Sequence, residues 1–589
     1  MSVTSLGPQT GIRPGGGPDA AGDQSVTAVE QLQALAADYW EFRLREHPTV
    51  AHDLGDARYR QLLFRESIAD HDRRAAEAST FLARLARVPI DALEGHDRHS
   101  HRLLARELNS LVTHHRHAGH LRPLMFPESP DISIAFALQR TAVRDRADAD
   151  DHLARLATLP GYLEHRRERL LAGAAAGHRL PRALLPRLCA SVEAHLGTPD
   201  EHSVWFRPLA QLPDDERFAA ARARLPRLIA QELRPAYARW LDLLRGEYAA
   251  HCRDSIGLRD EPEGEAYYAF LAREYTTTAD PPTAIHATGL AEVARIRAAM
   301  GSVAARAGFA DDLAGLRRHL ATEPRFYAKT KEELRERLEV LAKRIERRIP
   351  EFFGRIPRMT YGIESIPEAQ SAQLPPAYAQ PNPPSRLSAG VFWVTGLPDR
   401  CPAQMHVPLT LHEAWPGHLM HIALLQEMDG LPAFRRYGMM SYTAYIEGWA
   451  LYCEQLGHDF GLYDDPFAHY GQLEMEMWRA VRLVVDTGIH VLGWSRDAAI
   501  AYMTEHLTLP GAAIEAEVDR YIGMPGQALA YKVGELKIRG LRERAAGTLG
   551  SRFDLRAFHD ALSEAGPVTL ELLGEHVQAW IDAQRARAA

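Results

Sequence analysis

Apolar residues recur at the helical spacing of three and four along most of this sequence, which restricts the chain to a mainly α fold. From Thr330 to Pro350, TKEELRERLEVLAKRIERRIP sets Leu334, Leu338, Leu341, Ile345 and Ile349 on one face. Thr330 and Glu333 are spaced for a capping box at its start, and Pro350 is placed to end it. Comparable amphipathic helices are expected around 27–45, 68–87, 100–118, 216–249 and 283–305, with no convincing internal repeat. A chain of 589 residues exceeds one ordinary core. We therefore expect two helical regions, 27–355 and 356–589, behind a flexible Gly/Pro/Ser-rich leader over 1–26.

The exception to helical period is IPEAQSAQLPPAYAQPNPPSRLSAGVFWVTGLPDR, where proline excludes helix over much of the segment. Within it GVFWVT (Gly390–Thr395) is β-branched and aromatic and reads as a short edge strand. It is either a site where an extended peptide adds as a strand or a structural hairpin.

Just downstream, LTLHEAWPGHLMH (Leu409–His421) opens on a His-Glu pair. A catalytic zinc takes about three protein ligands and leaves a position for water, whose pKa falls to about 7. A neighbouring carboxylate then carries the proton. His412 as ligand and Glu413 as base fit those roles. In H-E-x-x-H the second histidine follows the first by four; here Pro416 occupies that place and His418 comes next. On a straight helix His418 would lie about 120° around and roughly 9 Å along from His412. Pro416 lacks the N–H that would bond the His412 carbonyl, so the turn should break and swing His418 back. His421 competes with it as second ligand. A third ligand is expected from YIEGWALYCEQLG, where Glu447 sits in an apolar setting that makes an unpaired carboxylate costly, with Glu454 seven residues on along the same face.

MEMWRAVRLVVDTGIHVLG is apolar nearly all round and should be buried, yet Arg479, Arg482, Asp486 and His490 form a polar line along it. Either Arg482 and Asp486 pair internally, or the line walls a cleft with Arg482 or His490 near substrate. Gln527, Tyr531 and Glu535 form a second line. There the Tyr531 hydroxyl suits an oxyanion donor, with His490 as its rival. Arg482, Asp486 and, in the proline-rich segment, Arg386 are the candidate substrate-binding residues. The histidine cluster His96–His120 has no acidic or cysteine partner at a zinc spacing and reads as a solvated helical face.

HEAWPGH, EGWALYCE, RAVRLVVDTGIH and PGQALAYKVGELKI together resemble, in order and spacing, the DUF885 family of zinc-dependent, gluzincin-like metallopeptidases. HPTVAHDLGD, GLRDEPEGEAYYAFLAREYTTT and IHATGLAEVARI extend the resemblance upstream, over about 27–580. It implies a large metallopeptidase-like helical fold with a central cleft, Zn2+ as cofactor, His412, His418 and Glu447 as ligands, and Glu413 as base. Family members often read PGHHLQ where this chain has PGHLMH, which leaves His421 as an extra ligand or a group behind the site. The expected activity is hydrolysis of a peptide or related amide. A non-peptide amide or ester hydrolase and a non-catalytic zinc scaffold are the alternatives.

A formal net charge of −8 gives no basic footprint for nucleic acid. Four widely spaced cysteines predict reduced thiols. With neither a secretion signal nor an apolar run near the roughly 18 residues that span a bilayer, a cytoplasmic protein without membrane contact is expected.

Overall fold

The computed structural model describes residues 27–587 except 127–128, 140, 142, 211, 213–214, 372–373 and 385–387. The fold is mainly α. Helices occupy Ala28–Glu46, Ile68–Leu85, Gly95–Arg116 and Pro282–Arg306, close to the periodicity. The expected 216–249 helix is instead two, Glu216–Leu228 and Arg234–Arg245, joined by a π turn over Ile229–Leu233. Pro226 and Pro235 each lack a ladder N–H, and the wide turn falls between them. Thr330 caps Lys331–Glu346 by accepting from the Glu333 N–H at 3.1 Å, but Glu333 accepts from the Lys329 N–H at 2.7 Å, so the reciprocal half of the capping box is displaced by one residue. Pro350 does not end that helix; it lies in the short helix Ile349–Phe352 that follows.

Three strands, β1 (Tyr361–Ser365), β2 (Ala377–Gln380) and β3 (Gly390–Val394), form one sheet in the order β1-β3-β2. β3 runs parallel to β1 and antiparallel to β2, with Phe392 opposite both Ile363 and Ala379. The edge strand expected at Gly390–Thr395 is therefore the central one. Both its sides are taken, and no peptide can add there.

Two large apolar clusters each draw on both sides of residue 355. One joins Leu153, Trp205 and Ile296 to Val481 and Val484; the other joins Tyr39, Leu104 and Ile345 to Leu411, Trp449 and Leu573. A smaller cluster sets Phe392 and Val394 of β3 against Leu409, Ala414 and Leu419. The helix His406–Glu413 is thus held between the sheet, through Leu409, and the second cluster, through Leu411. That clamp fixes the direction of the His-Glu pair. All four cysteines are buried free thiols. No helix among the described residues is long and apolar enough to cross a membrane.

Candidate metal centre

The helix carrying His412 stops at Glu413, and a new one begins at His418 (His418–Gln426). The last regular bond before the break is from the Ala414 N–H to the Thr410 carbonyl, 3.0 Å. Trp415–Pro416 is a cis peptide. Pro416 offers no N–H to the ladder, and its carbonyl accepts from the Trp449 indole at 2.9 Å, which ties the break to the helix Thr443–Gln455. A Cβ on Gly417 would lie 1.9 Å from the His412 carbonyl oxygen, so only glycine fits this close return.

The break brings the two imidazoles together. Their ring centres are 4.8 Å apart at 89°. Glu447 completes the group: its Oε2 lies 3.7 Å from His412 Nε2 and 3.4 Å from His418 Nε2. Ligand atoms of His412, His418 and Glu447 all fall within 4.8 Å of one another. Glu447 Oε2 and His418 Nδ1 are buried without a hydrogen bond. Tetrahedral nitrogen and oxygen ligands about 2.0–2.1 Å from zinc lie roughly 3.3–3.4 Å apart, so the observed separations suit an ion between these atoms better than direct bonds.

Electrostatics gives the same demand for positive charge. Burial works against protonation of His412, but Glu447 and Glu454 outweigh it and push the imidazole up to about 10. Burial would raise the Glu447 carboxyl, yet the two histidines hold it well below its usual range. A bound dication would supply what the proton on His412 supplies in its place. The donor set fits zinc.

Behind His412, its Nδ1 donates to Glu454 Oε1 at 2.8 Å. Glu454 is fully buried, and Arg479 approaches the same oxygen at 3.5 Å. A carboxylate on the far ring nitrogen fixes the tautomer and aims the other nitrogen at the ion. The sequence displayed Glu454 in line with Glu447, seven residues on, but no role for it was read there. Glu413 is 8% exposed, and its carboxylate makes no hydrogen bond or ion pair among the described residues.

A family model described as bacterial protein of unknown function, DUF885, matches residues 48–577. The chain belongs to this family. Two solved structures resemble this DUF885 chain. A candidate lipoprotein from Colwellia psychrerythraea is 26% identical, with a TM-score of 0.88 over 95% of this chain and 100% of that one. A candidate lipoprotein of unknown function from Shewanella oneidensis is 17% identical, with a TM-score of 0.72 over 94% and 99%, and shows the fold alone. No curated protein matches the sequence.

In this DUF885 chain the competing ligand His421 lies outside the cluster. It is fully buried between Tyr445 and Trp449, ring centres 4.9 and 5.0 Å away, with neither ring nitrogen hydrogen-bonded. Burial, aided by His418, lowers its pKa to about 3, so the ring is neutral.

His490 is not available to a substrate. Its Nδ1 accepts from the Leu258 N–H at 3.1 Å and its Nε2 donates to the Tyr521 carbonyl at 2.9 Å. The Arg482–Asp486 pair does not form either. Arg482 turns to Glu517 at 3.1 Å and the Tyr521 hydroxyl at 3.2 Å. Asp486 accepts from the Tyr268 hydroxyl at 2.6 Å and the Gly526 N–H at 3.0 Å. Being fully enclosed, Asp486 lines no cleft, which corrects its assignment to substrate binding. Arg386 lies outside the described residues.

Tyr531 is half-buried, its ring beneath the Arg482 guanidinium at 4.6 Å and its hydroxyl 3.4 Å from Arg520. Its helix, Leu529–Leu549, packs on the Glu447 helix at a glycine pair: a Cβ on Gly448 would stand 2.5 Å from Gly534. Gly448, next to Glu447, and Gly534, three residues after Tyr531, thus mark a close approach of the two helices. A cavity of about 550 Å³, lined by Arg106, Glu274, Tyr275 and Thr443 among others, reaches the Glu447 helix one turn before that carboxylate.

Proposed function

We propose that this chain is a zinc-dependent hydrolase of peptide or related amide bonds. The observation that carries the reading is the helix break at Ala414–Gly417, which gathers His412, His418 and Glu447 while leaving Glu413 beside them without a partner. A scaffold that only held metal would need the three ligands and not the adjoining free carboxylate.

Zn2+ held there supplies Lewis acidity and lowers the pKa of a coordinated water to about 7. Glu413 accepts one proton from the attacking water and returns it to the nitrogen of the scissile amide as the C–N bond breaks. Glu454 holds the His412 ring through Nδ1, so the side chain that faces the ion does not rotate. The Tyr531 hydroxyl is the candidate donor to the carbonyl oxygen as it gains charge. Arg520 donates to that hydroxyl oxygen at 3.4 Å, which leaves the hydroxyl proton itself available to the substrate.

The test is metal content followed by turnover on a panel of peptides, non-peptide amides and esters. One zinc per chain at this centre and chelator-sensitive cleavage of a peptide or amide support the proposal. A metal-free active enzyme, or cleavage confined to esters, overturns it.

A further inference from the structure

Far from this centre in the sequence, the helices Ile68–Leu85 and Gly95–Arg116 pack together. The chain reverses after the second of them. Ala118 takes a left-handed φ of 53°, and a 3₁₀ turn follows over Gly119–Leu121. A Cβ on Gly119 would meet the His114 ring at 2.3 Å, so the turn is packed too tightly there for a side chain. The reversal lays His120 over His115, ring centres 4.4 Å apart and 6° from parallel.

Asp72, on the first helix, reaches His115 Nε2 at 2.8 Å. One ligand atom from each of Asp72, His115 and His120 falls within 4.8 Å of the other two. To share an ion, the stacked His115 and His120 rings must turn about their Cβ–Cγ bonds so that their in-plane lone pairs converge, and Asp72 must trade its direct hydrogen bond for the ion. His120 is 7% exposed, and its Nδ1 has no hydrogen bond. An unpaired buried polar atom is destabilising, so the fold retains it at a penalty that a ligand would relieve. His71 also stacks on His120, at 5.6 Å, but its Nδ1 is engaged by Arg74 at 3.2 Å, and we leave it outside the set.

The solvated face expected of His96–His120 is thus corrected at its C-terminal end. An acidic partner is present, but it comes from a helix 43 residues upstream of His115, where spacing within the cluster cannot show it.

We propose that Asp72, His115 and His120 form a second metal site, for a borderline divalent cation of the Zn2+, Ni2+ or Cu2+ class. Two imidazoles and one carboxylate suit these ions, whereas Ca2+ and Mg2+ seek oxygen alone. The Asp72 and His115 side chains are 59% and 32% exposed, so an ion can enter from solvent. A bound ion would tie the first helix to the turn after the second. The site does not rest on the reading of the His412 centre.

The experiment counts zinc bound by the metal-stripped full chain at equilibrium with a fixed free Zn2+ concentration. Wild type, His418→Ala, the double variant His115→Ala/His120→Ala, and Asp72→Asn are compared. We expect two zinc ions in the wild type and one in each of the first two variants. Asp72→Asn, at an exposed position that leaves the packing alone, should weaken one site by at least the roughly 10–100-fold that loss of an outer-shell partner costs. One ion in the wild type, kept by His418→Ala and lost in the double variant, would sustain this site and sink the His412 centre. A double variant that binds as much zinc as wild type overturns the proposal. If the double variant does not fold, a folded Asp72→Asn chain with unchanged zinc binding overturns it equally.

Discussion

The cluster around Glu447 and the polar line along Pro466–His490 bury similar side chains, and they meet where Arg479 stands 3.5 Å from Glu454. In the line, Arg482 has Glu517 and Tyr521, Asp486 has Tyr268 and Gly526, and His490 has two backbone groups. Around Glu447, atoms of Glu447, His418 and His421 are buried with no hydrogen bond. Burial alone therefore does not separate a site from scaffolding. What separates them is convergence. Glu447 and His418, each with an unpaired atom, bring ligand atoms within 4.8 Å of one another and of His412, whereas the unpaired Arg479 Nε of the line and the two ring nitrogens of His421 belong to no such group among the described residues. Substitutions in the first region should change metal and rate; those in the second should change stability.

The largest effect is expected from His418→Ala. It should empty the zinc centre and bring turnover to background, while His421→Ala keeps both metal and most activity. Zinc content measured on the two variants decides. Metal retained in the first and lost in the second would exchange the roles of the two histidines.

Glu413→Gln comes next. It should hold zinc and melt like the wild type, yet lose about 10²–10⁴ in kcat, because the amide cannot accept the proton. Full activity in this variant would make Glu413 a bystander and remove the main distinction from a zinc scaffold.

Much of the first region was legible because its logic is local. The missing N–H of Pro416 predicts a break, and the break predicts that His418 swings back to His412. Glu447 stood out as a carboxylate among apolar neighbours. The second region was legible only as polar positions on an apolar helix. The partners of His490 and Asp486 come from Leu258, Tyr268, Tyr521 and Gly526, on segments that the helical period says nothing about. The same limit hid β1, whose pairing makes Gly390–Val394 the central strand of the sheet. Chemistry set within one turn can be read from the chain; chemistry set by packing between distant helices cannot.

Asp486 tests the second region by pH. Burial raises its carboxyl from 3.8 to about 7, against the hydrogen bonds from Tyr268 and Gly526. A raised carboxyl pKa means that the folded state holds the proton where the unfolded chain has released it. Stability is then greatest below pH 4, falls as pH rises towards 7, and levels off above that. From pH 5 to pH 8 the wild type should lose about 2–3 kcal/mol through this group. Asp486→Asn should lose correspondingly less over the same interval, with zinc content unchanged. Equal pH slopes in denaturant melts of the two proteins would show that Asp486 ionises freely in the fold.

Glu454 is where the two regions touch, and it gives the smallest and most discriminating test. One of its oxygens accepts from His412 at 2.8 Å and meets Arg479, the first residue of the polar line, at 3.5 Å; the other is buried without a partner. Glu454→Gln keeps an acceptor for His412 Nδ1 but removes the charge that makes the ring a better ligand. If Glu454 belongs to the metal centre, zinc affinity read by chelator competition should fall about 10–100-fold. That is roughly 1.4–2.8 kcal/mol, at a conversion of 1.4 kcal/mol per tenfold. The melting temperature of the metal-free protein should then move little, because the hydrogen bond survives. If Glu454 instead serves the scaffold by neutralising Arg479, affinity should hold, and the metal-free protein should melt lower because Arg479 has lost its buried counter-charge. Glu454→Ala lowers both quantities on either account, so the amide variant is the one that assigns the residue.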